Sequence, residues 1–293
     1  MTATLTVETA LEAGDILGEG PVWSAEEQSL YWVDIKKPAV RRWSPETGEQ
    51  RVWRVPSEIG SMALRARGGM VLALRDGFAL LDLETGQVER LHDPEPDLHG
   101  NRFNDGKCDP QGRFWAGTMD CEEKECLGSL YRLDPDHSCH RMVDGIICSN
   151  GLGWSPDGRT MYYTDTWTHR IDAFDFDPAT GTIGNRRVFA EVPDGDGGPD
   201  GLAVDAEGGV WSARWDGWKV VRHAPDGSVD TVVEMPVPRP TSCAFGGSDL
   251  RDLYVTSASV GLDRAALAAA PLSGSVFRVR TDVRGQGDHE FGG

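Results

Sequence analysis

The sequence predicts an all-β protein with a six-bladed β-propeller fold and a central metal site, with residues 1–293 as one domain. Short strands bounded by turn residues dominate the chain, and helical patterns are almost absent. The strands also recur at intervals of 41 to 49 residues, which is typical of propeller blades with several strands each. The repeat is marked by one aromatic or aliphatic residue per unit: Tyr31, Leu72, Trp115, Tyr162, Trp211 and Tyr254.

Each marker lies in a run of about four apolar residues, which favours a buried strand. These runs cover residues 30–33, 70–74, 114–117, 161–164, 210–213 and 253–256. A second strand is predicted after most of them, at 79–83, 129–133, 171–175, 220–223 and 275–279. Six such units predict six blades, whereas a two-sheet sandwich would not give evenly spaced repeats.

One short helix is predicted over residues 264–270. Asp263 can cap its first turn and Pro271 ends it. No segment is rich enough in Pro, Gly or Ser to act as a linker between domains, which favours a single domain.

The net charge of −18 argues against nucleic acid or an anionic membrane as a partner. No apolar run approaches the ~20 residues that span a bilayer, and residues 1–13 do not resemble a signal peptide. We therefore expect a cytoplasmic protein with six reduced cysteines. Their spacing gives no pair typical of a zinc site.

Four polar residues stand in glycine-punctuated segments that lie tens of residues apart: Glu19, Asn104, Asn150 and Asp200. Two carboxylates and two amide oxygens are hard donors that suit a divalent cation. Taken singly, each is better explained as a turn residue beside glycine. Because the four occupy comparable places in four units, the propeller would aim them at one axis, and we predict a metal site there.

Other catalytic patterns are missing from the sequence, which contains neither a Gly-x-Ser-x-Gly motif nor a His-Glu-x-x-His motif. Several tryptophans fall in or beside strands, where packing between blades is expected. Trp167, Trp215 and Trp218 fall beyond strand ends and are candidates to line a pocket.

Several segments resemble the senescence-marker-protein/gluconolactonase family, which includes regucalcin and bacterial sugar-acid lactonases. The matching segments run along most of the chain and include residues 18–23, 102–107, 114–119, 128–131, 149–152, 199–201 and 241–247. The resemblance implies a six-bladed propeller with one divalent cation in the central channel, which could be Ca²⁺, Zn²⁺, Mg²⁺, Mn²⁺ or Fe²⁺.

The resemblance also implies roles for single residues. Glu19, Asn150 and Asp200 match the direct metal ligands. Asn104 matches a residue that reaches the metal directly or through water and contacts substrate. Arg102 matches a substrate-binding arginine. In the same way, Glu122 matches a substrate-contacting acid in the segment 119–123.

From these matches we predict metal-dependent hydrolysis of an aldonolactone, with Asp200 as the general base. The expected partner is a small sugar lactone, and we expect a monomer or a small homo-oligomer. A regucalcin-like Ca²⁺-binding regulatory protein without relevant turnover is the alternative, and a phosphotriester- or aryl-ester-hydrolysing propeller is a second one. The charged segment 120–127 is predicted to be an exposed loop over the channel mouth that tunes which lactone enters, and a solvated loop without contact to a ligand is the alternative.

Overall fold

Six four-stranded antiparallel sheets make up the protein, as shown by a computed structural model that describes residues 5–293. The first eight strands are β1 Val7–Leu11, β2 Gly18–Ser24, β3 Ser29–Asp34, β4 Ala39–Trp43, β5 Gln50–Arg54, β6 Ile59–Leu64, β7 Met70–Leu74 and β8 Gly77–Leu81. The next eight are β9 Val88–His92, β10 Asn101–Cys108, β11 Phe114–Asp120, β12 Gly128–Leu133, β13 Cys139–Ile146, β14 Ser149–Trp154, β15 Thr160–Asp165 and β16 Arg170–Asp177. The last eight are β17 Thr182–Glu191, β18 Gly198–Val204, β19 Val210–Trp215, β20 Lys219–His223, β21 Val229–Glu234, β22 Pro240–Gly246, β23 Asp252–Ser257 and β24 Val276–Arg280.

The sheets are the blades of a propeller, and the predicted six-bladed fold is confirmed. Blades 1 to 5 take four consecutive strands each, from β2–β5 through β18–β21. Blade 6 has the order β22-β23-β24-β1, so its outer strand comes from the start of the chain. This pairing of β1 with β24 closes the ring between the two ends of the sequence.

Every marker residue of the sequence repeat lies in the second strand of its blade, as predicted for buried strands. Three of these strands carry a fully buried tryptophan whose indole N–H donates to an aspartate near the start of the same blade. The pairs are Trp32 with Asp15, Trp115 with Asp109, and Trp211 with Asp205, at 2.8, 3.0 and 2.9 Å. Each polar edge of a large apolar side chain is thereby satisfied in the core.

The innermost strands surround the channel and include the glycine-punctuated segments. In each of the six, the pairing with the second strand is interrupted by a bulge at the same place. Gly151 and Gly201 lie at these bulges, where a Cβ atom would come within 2.6 Å of Asp200 O and 2.1 Å of Ser242 Oγ. Glycine is required there because neighbouring blades approach closely, and not because the chain turns.

The predicted helix is confirmed as α1, Arg264–Ala269, which precedes β24 in blade 6. The Asp263 side chain accepts a hydrogen bond of 2.8 Å from the Ala266 backbone N–H, so it caps the first turn as expected. Within residues 5–293, no helix is long and apolar enough to cross a membrane.

A C-terminal strap, residues 284–293, runs across the end of the channel where the innermost strands finish. It makes hydrogen bonds with all six blades, through Trp23, Leu64 and Ala66, Gly112, Trp154, Ala206 and Leu250. Between the strap and these strand ends lies a small cavity of about 40 Å³. The strap thus covers one end of the channel.

Candidate functional site

A cavity of about 260 Å³ lies in the channel at the end away from the strap. One part of its wall is polar and contains Glu19, Arg102, Asn104, Glu123, Asn150, Thr166 and Asp200. The rest is largely apolar and contains Leu17, Met119, Cys148, Trp167 and Trp215. The structure therefore brings Glu19, Asn104, Asn150 and Asp200 into one cavity, together with Arg102.

The bulges of the innermost strands explain how four blades supply these side chains. The register shifts at Glu19 in β2, next to Asn104 in β10, at Asn150 in β14 and at Asp200 in β18. A bulge interrupts the alternation of a strand and can re-aim one side chain. Blades 2 and 6 have bulges too, but none of their residues line the cavity.

Two buried oxygen atoms of the site have no hydrogen-bond partner in the protein. They are Oδ1 of Asn150 and Oδ1 of Asp200. The amide nitrogen of Asn150 donates to Thr166 Oγ1 at 2.8 Å, which fixes the amide with its oxygen free. Buried polar atoms are nearly always paired, so two free acceptor oxygens on one cavity indicate a ligand, either a cation or a hydrogen-bond donor, that binds both.

Asn104 and Arg102 are held by a network that joins blades 3 and 4. Arg102 Nη1 donates to Asn104 Oδ1 at 2.7 Å and to Phe103 O at 2.9 Å. Asn104 Nδ2 donates to the Ser149 carbonyl at 2.8 Å. Both side chains are buried and oriented before any substrate arrives.

The carboxylates at the site are buried away from water and repel one another. Burial, reinforced by the charge of Asp105, raises the pKa of Glu19 to about 8. Burial and the charges of Glu19 and Asp105 raise the pKa of Asp200 well above its usual range. Burial raises the pKa of Asp105 itself to about 6. The positive charge of a divalent cation would offset this repulsion and so favour the charged form of each acid.

The donor set fits such a cation. Carboxylate and amide oxygens are hard ligands, and free oxygens are present at Asn150 and Asp200. Among residues 5–293, no three His, Cys, Asp or Glu side chains cluster as a metal site on their own. The candidate site therefore depends on amide ligands as well as acids, with Glu19, Asn150 and Asp200 as the residues that would hold the ion.

The structure separates the two neighbouring acids of the segment 120–127. Glu122 lies outside the cavity, where its carboxylate pairs with Lys124 at 2.7 Å and its side chain is 70% exposed. Glu123 lines the cavity, and its Oε2 accepts a hydrogen bond of 2.9 Å from Trp167 Nε1. The expected exposed loop is present at the mouth, but the acid that faces the cavity is one residue further on than the resemblance implies.

Other residues of the site had a weak signal in the sequence or none. Of the three candidate tryptophans, Trp167 and Trp215 line the cavity, whereas Trp218 does not. Thr166 was missed because its role depends on a short 3₁₀ turn, Thr166–Thr168, that follows β15. The one sequence feature that pointed to Asp105 is its position between the candidate ligand Asn104 and Gly106.

The fold and the site define a class of protein: a six-bladed propeller with acids, amides and an arginine gathered in its channel. Comparison with known proteins is consistent with this class. Residues 17–259 match the family described as the SMP-30/Gluconolactonase/LRE-like region. The chain belongs to this family, so the resemblance seen in the sequence is confirmed.

Individual relatives cover nearly the whole chain. It is 40% identical to regucalcin of Xenopus laevis over 94% of this chain and 95% of that protein. It is 41% identical to a 6-deoxy-6-sulfogluconolactonase of Pseudomonas putida, over 98% and 99%. A solved structure described as a calcium-binding regucalcin from Agrobacterium tumefaciens superposes with a TM-score of 0.94 at 31% identity, covering 98% of each chain.

Proposed function

We propose that the protein is a divalent-cation-dependent lactonase that hydrolyses an aldonolactone, such as a glucono-, xylono- or arabinolactone, to the aldonic acid. The observation that carries the proposal is the pair of free buried oxygens, on Asn150 and Asp200, beside Arg102 and Asn104 in one cavity. Membership of a gluconolactonase family supports the reaction type. The relative from Pseudomonas putida, whose name specifies a sugar lactone, supports the substrate class.

In this proposal each residue has a distinct task. Arg102 and Asn104 hold the sugar hydroxyls and orient the lactone carbonyl toward the place where Glu19, Asn150 and Asp200 would hold the cation. Asp200 accepts a proton from the attacking water. The new C–O bond forms at the carbonyl carbon, the ring C–O bond breaks, and the ring oxygen leaves as a hydroxyl that carries the proton. A bound divalent cation would polarise the carbonyl and stabilise negative charge on its oxygen.

The walls of the cavity suit a compact ligand with two kinds of surface. Sugar lactones present hydroxyls on their edges and C–H groups on their faces, and the cavity offers polar and aromatic walls to match. Burial raises the pKa of the Cys148 thiol well above its usual range, so this side chain is a neutral part of the wall. We further propose that the partner of the protein is a small lactone. The protein would be a monomer or a small homo-oligomer located in the cytoplasm.

Steady-state hydrolysis of a panel of aldonolactones tests the proposal, with the protein freed of metal and then loaded with one cation at a time. Hydrolysis should be lost on chelation and restored by at least one cation. The metal-free protein should stay folded with a moderately lower melting temperature, because six packed blades do not need the ion to close. Full activity in metal-free protein would exclude the mechanism. Tight Ca²⁺ binding without turnover of any lactone would favour the regulatory alternative, which the names of the regucalcin relatives support.

A further inference from the structure

Two sulfur atoms meet on the wall of the cavity, beside the oxygen donors. Cys148 Sγ lies 3.7 Å from Met119 Sδ, and both side chains line the cavity. Met119 is the last residue but one of β11 in blade 3, and Cys148 directly precedes β14 in blade 4. The two residues also form an isolated β-bridge, so their backbones are held side by side where the two blades meet.

The surroundings hold both sulfur atoms in place. Met119 and Cys148 are buried, with 1% and 6% of their surface exposed. The Cys148 thiol donates weakly to the Met119 thioether, and its sulfur is 3.9 Å from the amide nitrogen of Asn150. Of the six cysteines, all of which the structure describes, Cys148 alone lines the cavity. A ligand in the cavity can therefore reach a thiol and a thioether at once.

The distance between the two sulfur atoms suits a shared metal ion. Thiolate and thioether sulfur are soft ligands, which favour soft cations such as Cu⁺. Two sulfur ligands at about 2.3 Å from a tetrahedral ion lie roughly 3.8 Å apart, close to the 3.7 Å observed. A linear arrangement needs about 4.6 Å, and the flexible methionine side chain can open the pair that far.

We propose that Cys148 and Met119 form a second cation site in the cavity, which binds a soft monovalent cation such as Cu⁺ or Ag⁺ and leaves Ca²⁺ and Mg²⁺ to the oxygen donors. On binding, two metal–sulfur bonds form, the S–H bond breaks and the thiol proton passes to water. The thiolate cancels the charge of the ion, so no net charge is added beside the hard-cation site. The ion narrows the cavity, and we expect it to inhibit lactone hydrolysis. Its binding does not depend on the proposed activity.

Calorimetric titration of Ag⁺ into the metal-free protein, in buffer without chloride, tests the site. Cys121 and Cys126 are exposed and would also bind silver, so both are changed to serine in the parent protein of every comparison. Met119→Leu keeps the approximate size of the side chain and removes its sulfur, so it should weaken the tightest Ag⁺ site by at least about tenfold. Met142→Leu, at a methionine outside the cavity, is the matched control and should bind Ag⁺ as the parent does.

Substitutions of Cys148 test the other ligand. Cys148→Ser and Cys148→Ala should both lose the tightest Ag⁺ site, and thermal melting checks that each variant is folded. Met119→Leu decides the question even if neither cysteine variant folds. Equal Ag⁺ affinity in the parent and in Met119→Leu would overturn the proposal, because the thioether would then not be a ligand. Unchanged affinity in a folded Cys148 variant would overturn it as well.

Two further measurements separate this inference from the proposed function. Asp200→Ala removes a proposed ligand of the hard cation, yet it should keep the Ag⁺ affinity of the parent, and loss of that affinity would show that silver occupies the hard-cation site instead. In the cation-loaded parent, one equivalent of Ag⁺ should inhibit lactone hydrolysis more than in Met119→Leu, each compared with its own rate without silver. Ag⁺ binding that depends on Met119 supports the inference even if no lactone is hydrolysed. Lactone hydrolysis without such binding overturns the inference alone.

Discussion

The side-chain amide of Asn150 donates a hydrogen bond of 2.8 Å to the hydroxyl of Thr166, which leaves Asn150 Oδ1 free in the cavity. The two residues belong to the same blade, but Thr166 lies beyond the end of β15 in a 3₁₀ turn. The hydroxyl thereby decides which end of the amide faces the other ligands. Partners of this kind orient metal ligands and affect affinity without touching the ion.

Thr166→Val should weaken divalent-cation binding by about tenfold, because valine keeps the shape of the side chain and removes the acceptor. Thr166→Ser, which keeps the hydroxyl, should bind the cation as the wild-type protein does. Calorimetric titration of the metal-free proteins measures both. Equal affinity in the valine variant and the wild-type protein would show that Thr166 does not orient Asn150.

Substitutions of Asp200 and Arg102 should separate metal binding from substrate recognition. Asp200→Ala removes a charged ligand and the proposed base, so cation affinity and turnover should both be lost. Arg102→Ala should keep the cation and lower kcat/KM for the best lactone by about 10- to 100-fold, since a charged hydrogen-bond donor is lost. Arg187→Ala, on the outer strand of blade 4, is the control. An unchanged kcat/KM in Arg102→Ala would place Arg102 outside the substrate site.

The sequence predicted the fold well because the second strand of each blade is buried on both faces. Trp115 and Trp211 are almost fully buried, so their strands are continuous apolar runs that can be recognised and counted. The innermost strands were harder to recognise. Their glycines, such as Gly151, resemble turn residues in the sequence, whereas the structure uses them for contact between blades.

The candidate site could be predicted only where it repeats with the blades. Glu19 and Asp200 stand at equivalent bulges, so the spacing of the blades pointed to both. Glu123 and Thr166 lie in loops that do not repeat, and their approach to the cavity depends on how blades 3 and 4 meet. Nothing in the local sequence distinguishes Glu123 from Glu122.

Stability should depend on pH through a buried pair in blade 5. His223 Nδ1 donates to the Gly227 carbonyl at 3.0 Å, so its Nε2 can accept from Arg214 Nη2 at 2.8 Å. Burial, reinforced by the charge of Arg214, lowers the pKa of His223 from 6.5 to about 4. Below pH 6.5 the unfolded chain takes up a proton that the folded protein refuses until about pH 4, so stability falls over this window as the pH falls.

Through His223, the free energy of unfolding should fall by about 3 kcal/mol between pH 7 and pH 4. His223→Gln can still accept from Arg214 but does not titrate, so its free energy of unfolding should depend less on pH in this range. Urea unfolding at several pH values measures the difference between the two proteins, which cancels the contributions of other groups. Parallel pH profiles would show that His223 is not the group responsible.

The C-terminal strap should stabilise the propeller without contributing to the site. Phe291 is fully buried against blades 2 and 3, and its backbone bonds to Leu64 and Ala66. Phe291→Ala should therefore lower the free energy of unfolding by about 3 to 5 kcal/mol. Glu290→Ala, at an exposed neighbouring position, should have almost no effect.

Because the strap lies at the opposite end of the channel, cation affinity in the folded Phe291→Ala protein should equal that of the wild type. Denaturant unfolding and calorimetry on the same samples measure both quantities, and a parallel loss of affinity would show that the two ends of the channel are coupled.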